Sequence, residues 1–218
     1  MFRRMVTRMG LPAIVVAVIA ALSYALTGPA VPPASAQPKA PAALVEFTAD
    51  GKLKQPVAYR KWVYIGTPVT PNDMNDGEAS FPEFHEVYMD PESFAHYEKT
   101  GKFRDGTVLI KELSSVGSKE APSGKGYFQG EFTGLEATIK DSKRFPDEPG
   151  HWAYFDFGKH PLKAEVSKMA VASCNECHQK NARTDWVFSQ HYPVLRAAAP
   201  KKCARRGTRL NRGVDTRT

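Results

Sequence analysis

Residues Cys174-Asn175-Glu176-Cys177-His178 form a CxxCH pentapeptide, and no other feature of the chain limits its fold as much. Two thiols and an imidazole packed so closely must serve one object. The spacing is the attachment pattern of a c-type haem. The thiols of Cys174 and Cys177 add to the two haem vinyl groups as thioethers, and His178 then lies where an imidazole nitrogen can bind the iron. A disulfide, or half of a zinc site, would use the same cysteines. Zinc would want further Cys or His ligands at finger-like spacing, and Cys203 is the one cysteine left. A chain that holds a haem must also wall it from water. Trp62, Tyr64, Phe128, Phe132, Trp152, Phe155 and Trp186 are the aromatic candidates for core and wall.

The ends of the chain predict export. Arg3, Arg4 and Arg8 precede an apolar run from Leu11 to Leu26, then the small-x-small site Ala34-Ser35-Ala36. We expect a signal peptide at 1–36, a Pro/Ala-rich linker at 37–44, a haem domain at 45–200 and a basic, disordered tail at 201–218. The compartment is then the periplasm, which suits c-type haem. The net charge of +7 invites a nucleic-acid reading. The excess sits in the two ends, however, and acids slightly outnumber bases between residues 37 and 200. A basic groove on the folded body, and with it nucleic acid as a partner, is not supported.

Period-two patterning with β-branched and aromatic enrichment predicts strands at 61–65, 84–89, 107–113, 127–132 with 135–139, and 152–157. Asp90 followed by Pro91 is a helix start and Gly101 a stop, which predicts a helix over 91–100. Further helices are expected at 162–170 and 174–182, with a short one after Pro193. The fold class is α+β, a mostly antiparallel sheet with packed helices.

A second axial ligand is not evident. No methionine follows His178, and Met74, Met89 and Met169 lie upstream. His85, His96, His151, His160 and His191 are the remaining histidines; any one could be a distal ligand, but each is better suited to a surface or hydrogen-bonded role. An open distal position is expected, and an open haem binds small molecules.

Several blocks together carry a family resemblance. They are Asp90-Pro91-Glu92-Ser93-Phe94-Ala95-His96, Lys99-Thr100-Gly101-Lys102-Phe103-Arg104-Asp105-Gly106-Thr107 and Gly134-Leu135-Glu136-Ala137. The CxxCH motif, Thr184-Asp185-Trp186-Val187-Phe188 and Tyr192-Pro193-Val194-Leu195-Arg196 follow. In this order the chain, over roughly residues 44–198, resembles the cytochrome P460 family. The resemblance implies an antiparallel β fold, a homodimer, and one haem c ligated by His178 with an open distal face. It also implies a lysine bonded to the porphyrin rim. The activity implied is oxidation of hydroxylamine to nitrous oxide or nitric oxide, with electrons leaving to a soluble partner such as a c-type cytochrome. The related cytochromes c-prime-beta share the fold, lack the lysine bond and bind nitric oxide; this is the alternative reading. By motif position the lysine is expected to be Lys99, although a surface lysine at a helix C-terminus explains the same residue. Glu131, in an aromatic strand beside Gly130, is the expected distal proton acceptor, although an outward-facing strand residue explains the same position. Arg104 is a further candidate for the site, unless it pairs with Asp105.

Overall fold

The computed structural model describes residues 44–200. The expected leader, most of the linker, Cys203 and the basic tail lie outside the described residues. In chain order the strands are β1 (Leu53–Lys54), β2 (Val63–Gly66), β3 (Phe84–Met89), β4 (Val108–Val116), β5 (Glu120–Ala121), β6 (Gly124–Lys125), β7 (Gln129–Lys140), β8 (Trp152–Lys159) and β9 (Glu165–Val166). The α-helices are α1 (Pro91–Thr100), α2 (Val171–Asn181) and α3 (Pro193–Ala198). The fold is α+β, as expected.

Five strands form an antiparallel sheet in the order β2-β3-β4-β7-β8. The small β5–β6 hairpin is an excursion between β4 and β7. Strands β1 and β9 pair separately, Leu53 opposite Val166. That pairing corrects one expectation: the stretch at 162–170 is not helical. Its partner lies over a hundred residues upstream, so no local pattern reports it. The stretches expected at 127–132 and 135–139 belong to one strand, β7, which starts only at Gln129 and leaves Tyr127 and Phe128 outside it. Strand β7 has register shifts against β4 at Leu113/Ser114 and Ser114/Val116 and against β8 at Gly134/Glu136.

Strand alternation splits the sheet into two faces. Val108 and Ile110 of β4, Leu135, Ala137 and Ile139 of β7, and Ala153, Phe155 and Phe157 of β8 are buried on one face. They pack with Leu53, Tyr59, Phe145 and Val166. The intervening residues Leu109, Trp152 and Tyr154 turn to the other face, where Val87, Met89, Tyr97, Phe103, Val187 and Leu195 pack with them.

Helix α1 begins as the sequence predicts. The buried Asp90 is its N-cap, accepting from Ser93 N at 2.8 Å, and Gly101 closes it in the left-handed conformation at φ 68°. The other Asp90 oxygen accepts from Val108 N at 2.9 Å, so one carboxylate joins the helix start to β4.

Candidate haem site

The CxxCH residues occupy α2. Positions i, i+3 and i+4 of a helix share a face, so Cys174, Cys177 and His178 all turn to one side. They line a cavity of about 390 Å³ between α2 and the second face of the sheet. Asn175, buried on the flank of α2 next to them, donates to the Trp152 carbonyl at 3.1 Å and ties α2 to β8. Nothing in the spacing of CxxCH reveals this role for Asn175.

The sheet wall follows from strand register. Val87, Lys111, Glu136 and Asp156 stand opposite one another across β3, β4, β7 and β8, and Leu109, Thr138 and Tyr154 form the adjoining row. All seven line the cavity. Lys111 Nζ lies 2.6 Å from Glu136 Oε2. The same ammonium sits 5.1 Å from the centre of the Phe81 ring, whose edge meets His85. Burial, helped by the Lys111 charge, pushes the His85 imidazole down to about 4, so it is neutral at physiological pH.

His178 is held on three sides. Its Nδ1 lies 2.7 Å from the Trp186 carbonyl, and Tyr154 and Phe188 flank the ring with centroids at 4.8 and 4.6 Å. A carbonyl can only accept, so Nδ1 carries the proton and Nε2 keeps a free lone pair. Burial also lowers the His178 pKa, which favours this neutral, ligating form. The Trp186 carbonyl is presented by a tight turn. Thr184 and Val187 bridge, with Val187 N donating to Thr184 O at 2.8 Å, and Asp185 and Trp186 both have positive φ, 46° and 60°. Tryptophan in a left-handed conformation costs about 1–3 kcal/mol. The ring packs over Gly150, where an added Cβ would stand 2.7 Å from Trp186 Cε3.

These walls fit a haem. Paired thiols and an imidazole with a free lone pair lie on one side of an aromatic and apolar cavity. Moreover, His85 Nε2, Tyr154 Oη and Trp186 Nε1, on three cavity-lining residues, are buried without a hydrogen-bond partner. Buried orphans of this kind cost about 1–3 kcal/mol each and gather where a bound group is accommodated.

Three expected site residues are elsewhere. Lys99 is exposed on the last turn of α1 and is not part of the cavity wall, so it fits a surface lysine beside a helix C-terminus. Glu131 is exposed near the start of β7. Arg104 pairs with Glu92 at 3.0 Å and approaches Asp90 at 3.5 Å, at the start of α1. Asp105 binds Ser142 instead. The lysine that lines the cavity is Lys111, and the carboxylates are Glu136 and Asp156. One sequence signal could have found them: Lys111 and Glu136 have the opposite strand parity to Val108, Ile110, Leu135 and Ala137, so alternation turns them away from those core residues. Of the remaining histidines, only His85 lines the cavity with His178 among the described residues.

The family profile described as Cytochrome P460 matches residues 56–189. No curated protein gives a significant match to the chain.

Proposed function

The chain belongs to the cytochrome P460 family, and from that premise we propose that this haem-containing cytochrome oxidises hydroxylamine to nitrous oxide or nitric oxide. Cys174 and Cys177 hold one haem c covalently, and His178 binds its iron through Nε2. When bound, haem supplies a redox-active iron that accepts electrons from a small ligand. Lys111, not Lys99, is the lysine suited to the rim bond that the family resemblance implies, because it lines the cavity.

The proton work falls to Glu136. Oxidation of hydroxylamine releases protons along with electrons, and a carboxylate beside a small cavity can accept them. The Glu136 side chain is a quarter exposed, which leaves it a route to pass protons to solvent. Asp156 is the lesser candidate, since it is exposed and its Oδ1 already accepts from Gly158 N at 2.8 Å. Phe81, Val87 and Leu109 give the cavity apolar surfaces that suit a small, uncharged substrate. Under the same proposal the protein works in the periplasm as a homodimer and delivers electrons to a soluble c-type cytochrome.

The observation that carries this reading is the Lys111–Glu136 pair in the same cavity as CxxCH. Holoprotein matured with the c-type haem machinery should consume hydroxylamine with an artificial electron acceptor. Its proteolytic haem peptide should carry both the CxxCH segment and the segment containing Lys111. Haem held only at Cys174 and Cys177, with nitric oxide binding but no hydroxylamine consumption, would establish the cytochrome c-prime-beta-like alternative instead.

A further inference from the structure

We propose that Asp185 is a positioning residue that sets the hydrogen bond on His178, through a clamp formed by Lys140 and Trp152. The proposal rests on His178 being the haem ligand.

The clamp is built on the sheet. Lys140 ends β7, Trp152 begins β8, and the two stand opposite each other in register. Asp185 Oδ2 lies 2.5 Å from Lys140 Nζ, and Oδ1 accepts from Trp152 Nε1 at 3.4 Å. Lys140 Nζ also sits 5.4 Å from the centre of the Trp152 ring. The ion pair is largely shielded, with side chains 16% and 27% exposed, and Trp152 is fully buried. Asp185 is therefore fastened to two strand ends that cannot shift independently.

Asp185 does not touch His178 itself. It is the first of the two left-handed residues in the Thr184–Val187 turn, and the second, Trp186, carries the carbonyl that meets His178 Nδ1. Turns of this hand favour Asn or Asp followed by Gly. Here tryptophan takes the glycine position, so something outside the turn must hold it, and the Lys140–Asp185–Trp152 contacts do so. A strong Nδ1–H···O=C bond makes the imidazole a better electron donor and fixes its orientation. Without the clamp the turn can relax and the bond lengthen, which leaves His178 a weaker donor and favours reduced iron.

Holoprotein variants Lys140→Met, Lys140→Arg and Asp185→Asn test this. The readouts are the midpoint potential and the iron–histidine stretching band of the reduced protein in resonance Raman. Positioning predicts that Lys140→Met and Asp185→Asn both raise the potential and lower the band frequency, while Lys140→Arg keeps both close to the parent. A bare charge effect through space predicts opposite potential shifts for Lys140→Met and Asp185→Asn, because one removes a cation and the other an anion. Opposite shifts, or an unmoved band in Lys140→Met, would overturn the proposal. If Asp185→Asn fails to accumulate, the direction of the Lys140→Met shift decides alone. A parent holoprotein without any iron–histidine band would refute the haem reading of His178, and the clamp proposal would fall with it. A normal parent band that ignores the variants refutes the clamp only.

Discussion

Lys111 and Glu136 stand directly opposite each other on β4 and β7, with Nζ and Oε2 2.6 Å apart, on the sheet face that looks toward Cys174, Cys177 and His178. Residues opposed in adjacent strands are held by the backbone ladder, so this pair does not depend on loop conformation. It brings an amine and a carboxylate to one wall of the cavity.

Replacing Lys111 with Leu should leave haem attached through Cys174 and Cys177 and abolish hydroxylamine turnover. Mass spectrometry of the haem peptide should then show the CxxCH segment alone. Lys99→Leu should change neither the haem peptide nor the turnover. A haem peptide that still carries the Lys99 segment after Lys111→Leu would reverse the assignment.

Glu136→Gln keeps the size of the side chain and removes its ability to take a proton. Turnover should fall by about 10²–10⁴-fold, the usual contribution of a positioned acid–base group. Glu131→Gln, at an exposed position, should stay close to the parent. Steady-state rates of hydroxylamine consumption for the two variants check this.

His85 should make the protein acid-sensitive. Its folded-state pKa of about 4 lies below the ordinary 6.5, so the unfolded chain binds the proton more readily. Stability is therefore lost as pH falls from 6.5 toward 4, and the loss levels off below that. Between pH 7 and pH 5 it amounts to about 1–2 kcal/mol. Urea unfolding of the holoprotein at the two pH values should show this difference, and His85→Gln should shrink it. An equal acid loss in His85→Gln would assign the effect to other groups.

Asp90→Ala should be among the most damaging changes outside the cavity lining. It leaves two backbone N–H groups, of Ser93 and Val108, without their acceptor in a buried setting. The cost should be about 2–4 kcal/mol. Asp90→Asn retains one acceptor oxygen and should lose less. The midpoints of urea denaturation rank the two.

Local signals carried much of the fold. Asp90-Pro91 and Gly101 mark both ends of α1, and alternation located the cores of β3, β4 and β8. The stretch at 162–170 misled because its strand character comes from β1 and not from its own residues. The cavity lysine was harder still. Lys99 stands in a recognisable block and Lys111 does not, yet which of them lines the cavity depends on packing.

The pentapeptide by itself determined which residues can take a haem, because Cys174, Cys177 and His178 need only one helical turn to share a face. Alternation by itself determined that Lys111 and Glu136 turn away from the residues packed around Phe155. What only the tertiary structure decided is that both charges meet, and that they do so opposite α2. That outcome rests on the antiparallel register of β3, β4, β7 and β8 and on Asn175 tying α2 to β8. Register is a long-range property: sliding one strand by a single residue would turn its charges to the other face. The same holds for the turn at Asp185 and Trp186, whose left-handed pair is held by Lys140 and Trp152 on distant strands.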